Sequence, residues 1–135
     1  MTPPPSDTQS PGTQTPGTQM ARILIVDDEP MIAFDLQELI IDAGFASAGV
    51  AGRLEAALAL IESGACDAAI LDANLAGVSA SPAAAALVAR GLPFIVLSGY
   101  SAWQHQDAFP GAVFLQKPCG PARLIEVLRS ILAAR

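Results

Sequence analysis

Ala68-Ala69-Ile70-Leu71-Asp72-Ala73-Asn74-Leu75 is a short apolar run that stops on a carboxylate, and its reading decides the fold. The run is long enough for a buried parallel strand and too short for a helix, so it reads as a central strand of an open sheet. Asp72 then sits at that strand's carboxyl end. In doubly wound α/β sheets the ligand crevice lies outside the carboxyl ends of the strands, where strand order reverses, so a carboxylate delivered there is placed for chemistry.

Working outward, three more runs end the same way. Ile23-Leu24-Ile25-Val26 leads into Asp27-Asp28-Glu29, Phe94-Ile95-Val96-Leu97 into Ser98, and Ala112-Val113-Phe114-Leu115 is followed by Lys117. Between them lie helical patterns. Pro30 suits a first helical turn, and Ile32, Leu36, Leu39, Ile40 and Ala43 form one apolar face closed by Gly44. A weak strand is expected over Ala46–Val50 and a helix over Arg53–Ser63, with Leu54, Ala57, Leu58 and Ile61 inward and Gly64 at its end. Asn74–Ser79 reads as a loop. Ser81-Pro82 reads as an N-cap followed by proline, opening an alanine-rich helix to Arg90 that Gly91 terminates. Trp103–Asp107 is a poor helix, Pro110-Gly111 turns the chain, and Gly120-Pro121 opens a last helix striped by Leu124, Val127, Leu128, Ile131 and Leu132. Alternating strands and helices with short connections imply a flavodoxin-like (βα)5 doubly wound parallel sheet of strand order 2-1-3-4-5.

Residues 1–20 are rich in Pro, Thr, Gln, Ser and Gly, with Pro-Gly-Thr-Gln at 11–14 and again at 16–19. Such a segment buries too little apolar surface to offset its ordering entropy, so it reads as a disordered tail before a single domain over 21–135. Cys66 and Cys119 match neither a disulfide framework nor a zinc pattern and read as ordinary thiols. No apolar run reaches membrane-spanning length and no signal peptide opens the chain, so a cytoplasmic protein is expected. The net charge of -6 and six scattered arginines argue against a nucleic-acid partner. Lys117 is the only lysine in the chain, and it stands at a strand end opposite the acidic group.

In the 2-1-3-4-5 order the first and third strands are neighbours, so Asp27, Asp28 and Asp72 converge. Two carboxylates about 4 Å apart repel by roughly 4 kcal/mol at an effective dielectric near 20, close to about three pKa units. Either one of the acids is protonated or a hard divalent cation is bound, and an open acidic site with room for water suits Mg²⁺. Asp28 and Asp72 are the expected direct ligands, Asp27 could act through water, and the backbone carbonyl of Asn74 lies on the loop over the site. A carboxylate held this way, with the Ser98 hydroxyl and the Lys117 ammonium arriving from the other side, is arranged to accept a phosphoryl group on Asp72. His105, the sole histidine, reads as a solvated residue.

Ile25-Val26-Asp27-Asp28-Glu29-Pro30, Ile70-Leu71-Asp72, Leu97-Ser98-Gly99 and Phe114-Leu115-Gln116-Lys117-Pro118 together resemble a response-regulator receiver domain over residues 21–135. The resemblance implies that Asp72 is phosphorylated by a histidine kinase or a phosphotransfer protein, that Asp27 and Asp28 form the acidic Mg²⁺ pair, and that Ser98 and Lys117 contact the phosphoryl group. It further implies a switch built on Ser98, Phe114 and Tyr100; read from the sequence pattern alone, Phe114 is equally a plain core residue. Pro93-Phe94-Ile95-Val96-Leu97-Ser98-Gly99-Tyr100 is similar to single-domain receivers bearing a Pro-Phe-x-Phe-Ala-Thr-Gly-Tyr signature, common in alphaproteobacteria, with Val96-Leu97-Ser98 replacing Phe-Ala-Thr. That subgroup often lacks the switch aromatic that Phe114 supplies here, and Cys119 stands where the wider family often has Phe. The short polar segment between Tyr100 and Pro110 implies a reduced fourth helix and an altered output face. With the last helix ending the chain, output is expected through protein contacts, phosphorelay or a phosphate sink, from a monomer or weak dimer, and slow hydrolysis of the aspartyl phosphate would not make the protein an enzyme. Two rivals stand beside this reading: a receiver fold serving as a phosphorylation-independent interaction module, and a small Mg²⁺-dependent phosphohydrolase working through an aspartyl phosphate. The second fits poorly, since such enzymes usually place another Asp two residues after the nucleophile, where this chain has Asn74, and carry a substrate-binding cap, which it lacks.

Overall fold

The computed structural model describes residues 20–99, Phe109 and residues 112–134. Strand β1 (Arg22–Val26) is followed by α1 (Pro30–Asp42), β2 (Ala46–Ala51), α2 (Leu54–Glu62) and β3 (Ala68–Asp72). A hairpin of β4 (Asn74–Leu75) and β5 (Val78–Ser79) comes next, then α3 (Ser81–Ala89), β6 (Phe94–Ser98), β7 (Val113–Gln116) and α4 (Pro121–Ala133). The expected tail up to residue 19, Tyr100, the reduced fourth helix, the stretch Trp103–Asp107 with His105, and the Pro110-Gly111 turn all lie outside the described residues.

The main sheet is parallel throughout, in the order β2-β1-β3-β6-β7. This is the flavodoxin-like order expected from the sequence, with the short hairpin standing apart as its own two-stranded sheet. Parallel strands need both faces covered, and the side-chain alternation shows how the cover is divided. Ile23, Ile25, Ala68, Ile70, Ile95 and Leu97 pack on one face with Ala33 and Ile40 of α1 and Leu124 and Leu128 of α4. Leu24, Val26, Ala69, Leu71, Phe94 and Val96 pack on the other with Ala57 and Ile61 of α2 and Ala83, Ala84 and Leu87 of α3. A fully buried Leu or Ile in such a core contributes about 1.5–3 kcal/mol, and truncating one to Ala costs roughly 2–5 kcal/mol. The alanine-rich sequence of α3 thus does two jobs: it favours helix, and it lets small residues sit close against α2.

Helix boundaries follow local chemistry. Pro30 opens α1, where its missing N–H costs nothing. Pro121 does the same for α4 after Gly120. At α3 the sequence reading is corrected by one residue: Ala80 occupies the N-cap, and Ser81 and Pro82 are the first two helical residues. The shift arises because the Ala80 N–H donates to the Ala73 carbonyl at 3.0 Å and closes the hairpin base. The oxygen that meets a helix-start amide comes instead from Ser79, whose hydroxyl accepts the Ser81 N–H at 3.1 Å. Asn74–Ser79 is likewise corrected from loop to hairpin, its two-residue strands being too short to show a sequence period. On the sheet edge, β2 carries an irregularity opposite Ile23 and Leu24, where Gly49 takes φ +122°, a conformation closed to ordinary side chains.

Both cysteines are free, Cys66 buried and Cys119 half-buried. Among the described residues no helix is long and apolar enough to cross a membrane.

Candidate functional site

The parallel register assembles the acidic group. Ile25 lies beside Ile70 and Val26 beside Leu71, so the next step of the ladder sets Asp27 beside Asp72. Side-chain alternation then sends both carboxylates to the same side of the sheet, on strands about 4.8 Å apart. Asp28 follows where the chain leaves β1 for α1, and one oxygen from each of Asp27, Asp28 and Asp72 lies within 4.8 Å of the others. The convergence expected from the strand order is therefore met.

The neighbouring strands bring the polar residues. Ser98 ends β6 and is only 3 % exposed. It pairs in register with Gln116, and the Lys117 N–H donates to the Ser98 carbonyl at 2.8 Å, extending the ladder one residue past β7. The Lys117 Nζ lies 3.2 Å from Asp72 Oδ2. Asp72 Oδ1 accepts the Asn74 N–H at 3.3 Å, so its two oxygens face different partners. Asn74 itself is exposed, and its side-chain oxygen accepts the Gly77 N–H at 2.7 Å.

Asp27 stands out electrostatically. It is 2 % exposed, deeper than the half-buried Asp28, which the sequence pattern marks as the more direct ligand. Its Oδ1 accepts the Glu29 N–H at 2.9 Å, while its buried Oδ2 has no hydrogen-bond partner among the described residues. Burial pushes its carboxyl above the usual carboxylate range. The Glu29 N–H opposes that shift, Asp72 adds to it, Lys117 opposes it and Asp28 adds to it. A buried carboxylate oxygen lacking a donor, beside two more carboxylates, is a hard all-oxygen donor set that a small divalent cation would satisfy. The residues present fit Mg²⁺.

Phe114, on β7, is half-buried, with its ring edge-on to Phe109 at a centroid distance of 6.1 Å and an interplanar angle of 85°. Phe109, 2 % exposed, escaped the sequence reading; the available signal was a lone aromatic just ahead of Pro110-Gly111. The hairpin conformation was missed as well. It requires φ +53° at Ala76 and φ +90° at Gly77, and only the glycine announces it. Tyr100 lies outside the described residues.

Residues 23–129 match the model of the response regulator receiver domain. No curated protein matches the chain. Among solved structures, SdrG from Sphingomonas melonis shares 37 % identity over 84 % of this chain and 97 % of its own, with a TM-score of 0.72. A response regulator receiver protein from Sinorhizobium medicae shares 25 % identity over 86 % of this chain and 97 % of its own, with a TM-score of 0.77. A CheY-like receiver domain protein from Methanospirillum hungatei shares 26 % identity over 86 % and 96 %, with a TM-score of 0.76. With the match running from β1 to within α4 and the same fold in each of these relatives, the chain belongs to the response regulator receiver domain family.

Proposed function

We propose that Asp72 is the phosphoacceptor of a Mg²⁺-dependent receiver that takes its phosphoryl group from a histidine kinase or a histidine phosphotransfer protein. Family membership implies two-component signalling, and receiver domains are generally phosphoacceptors rather than enzymes. The observation that carries the residue assignment is the lone lysine of the chain lying 3.2 Å from Asp72 Oδ2, while Asp72 shares an acidic group with Asp27 and Asp28.

Asp27, Asp28 and Asp72, with the Asn74 backbone carbonyl, would hold Mg²⁺, which supplies positive charge against the acid group and the incoming phosphoryl oxygens. The chain's own residues do the rest. One carboxylate oxygen of Asp72 forms the new O–P bond as the P–N bond to the donor histidine breaks, and the histidine nitrogen keeps the electron pair and takes up a proton. With acetyl phosphate the bond that breaks is P–O, and acetate leaves. Lys117 moves its charge from Asp72 toward the phosphoryl oxygens as they approach, and the Ser98 hydroxyl donates to one of them. Water returns Asp72 to a free carboxylate slowly. Output then passes through protein contacts, through relay to a phosphotransfer histidine, or by draining a shared kinase.

The test is intact-mass analysis after incubation with acetyl phosphate, in Mg²⁺ and in EDTA. A gain of one phosphoryl group that needs Mg²⁺ and disappears in Asp72→Asn is expected. An undiminished adduct in Asp72→Asn would remove Asp72 from the chemistry, and no adduct from any phosphodonor, acetyl phosphate or kinase, would leave a phosphorylation-independent interaction module.

A further inference from the structure

Among the described residues, the strained backbone lies four residues past Asp72, where the acceptor strand ends. Ala76 takes φ +53°, and among the described residues it is the only non-glycine at positive φ. A left-handed conformation crowds the alanine Cβ against the following carbonyl, so the chain adopts it there only if other contacts impose it. Gly77, at φ +90°, meets the same demand without cost. A two-residue hairpin turn with both central residues at positive φ is the tight form that suits strand twist, and asparagine or glycine, not alanine, ordinarily stands first in it.

Three contacts impose the turn on Ala76. The Ala80 N–H donates to Ala73 O at 3.0 Å and closes the base, and Asn74 pairs with Ser79 and Leu75 with Val78 above it. At the tip the Asn74 side-chain oxygen accepts the Gly77 N–H at 2.7 Å. The same Asn74 donates its backbone N–H to Asp72 Oδ1 at 3.3 Å. One residue therefore grips the turn with its side chain and the acceptor carboxylate with its main chain.

We infer that Asn74 is a positioning residue: by tying Gly77 it holds Ala76 in the left-handed turn, and the closed turn keeps the Asn74 amide on Asp72 Oδ1, fixing the carboxylate whose other oxygen faces Lys117. Its carboxamide oxygen is engaged away from the reacting atoms, so the side chain acts through the backbone and not on the phosphoryl group. The inference rests on Asp72 being the acceptor. It goes beyond that reading in assigning the orientation of Asp72 to a strained hairpin.

The strain itself provides the test, because Ala76→Gly removes it. Four full-length proteins are compared: wild type, Asn74→Ala, Ala76→Gly and the double variant, each checked for native circular dichroism. The initial rate of adduct formation is followed by intact mass with acetyl phosphate at saturating Mg²⁺, and exchange of the Gly77 amide is followed by NMR without phosphodonor or metal. Asn74→Ala is expected to lower the rate roughly tenfold and to speed Gly77 exchange about tenfold, the size of effect a small misplacement of a reacting group produces. Ala76→Gly alone stays within about twofold of wild type, and the double variant recovers the rate to within about threefold, since glycine holds the turn without the tie. A double variant as slow as Asn74→Ala would mean that the carboxamide acts directly on the reaction and would overturn the inference, as would an Asn74→Ala protein of wild-type rate. Unprotected Gly77 exchange in an adduct-forming wild type would overturn the tie and leave Asp72 as acceptor. A wild type that forms no adduct would remove the acceptor reading, and the positioning role with it.

Discussion

The two ends of the sheet use the same residue types to opposite effect. At the amino ends of β1 and β3, Asp67 accepts the Arg22 backbone N–H at 2.8 Å, its Nε–H at 3.2 Å and an Nη2–H at 3.0 Å. One carboxylate meets one guanidinium, and the Asp67 N–H returns a bond to Arg22 O at 2.7 Å. At the carboxyl ends of the same two strands, Asp27 and Asp72 stand side by side with Asp28, and Lys117 is the cation that reaches them. Three carboxylates against one ammonium leave, among the described residues, a formal excess of two negative charges and a buried Asp27 oxygen without a donor. Balance at one end closes the sheet, whereas imbalance at the other leaves a demand for positive charge that no cation beyond Lys117 meets among the described residues.

The largest expected effect tests whether the single cation at the carboxyl end is chemically engaged. Lys117→Met should lower the initial rate of adduct formation from acetyl phosphate by about 100-fold or more, the cost of removing one pre-placed electrostatic partner from a transferring group. Arg22→Met should leave that rate within about twofold of wild type. Equal losses in the two variants, read by intact mass under one set of conditions, would erase the distinction between the ends.

A smaller effect, in stability, sharpens the same contrast. Asp27 is held above its ordinary value in the folded chain, first by burial, so the folded state binds its proton more tightly than the unfolded state does. Its ionised form therefore penalises folding fully above the folded pKa, and the penalty fades as pH falls through that raised value to the ordinary carboxylate range. Asp27→Asn in EDTA should then be more stable than wild type by about 1–2 kcal/mol at neutral pH, from relief of an unsatisfied buried charge. The gap should close on acidification toward the ordinary carboxylate range. Adding Mg²⁺ should reverse the ranking, because only wild type gains the full binding free energy of the ion. Urea titrations at pH 7 and pH 4, with and without Mg²⁺, read all three; a gap that widens on acidification would contradict the assigned shift.

The sequence made the carboxyl-end chemistry legible because buried parallel strands are nearly continuous apolar runs, so a polar residue at the end of one is conspicuous. Asp27, Asp72, Ser98 and Lys117 each interrupt or follow such a run, and the strand order alone brought the acids together. What stayed hidden depends on shorter signals. The depth of Asp27 relative to Asp28 follows from alternation at a strand end whose last residue a sequence cannot fix. Hairpin β4–β5 has two residues per strand, too few for any period, and Ala76 conceals a turn that asparagine or glycine would have declared. Ser81 looked like a cap because serine before proline usually is one, until the Ala80–Ala73 bond moved the helix start back a residue. Phe109 lay beyond any run, and its packing on Phe114 is a purely tertiary fact.

The smallest effect belongs to the balanced end. The Arg22 side chain is 48 % exposed, and water competes for both partners of its pair with Asp67, so the ion pair adds little to the backbone bonds beneath it. A double-mutant cycle of Arg22→Met and Asp67→Asn should give a coupling under about 1 kcal/mol, shrinking further in 1 M NaCl as screening shortens to about 3 Å. Asp67→Asn should still cost something on its own, because Asp67 Oδ2 also accepts the Arg22 N–H at 2.8 Å where β1 begins. An amide oxygen accepts that bond less strongly than a carboxylate does. A coupling above about 2 kcal/mol that ignores salt would mean the amino end carries a desolvated pair. The two ends would then differ in what their charges bind, and no longer in whether those charges govern the fold.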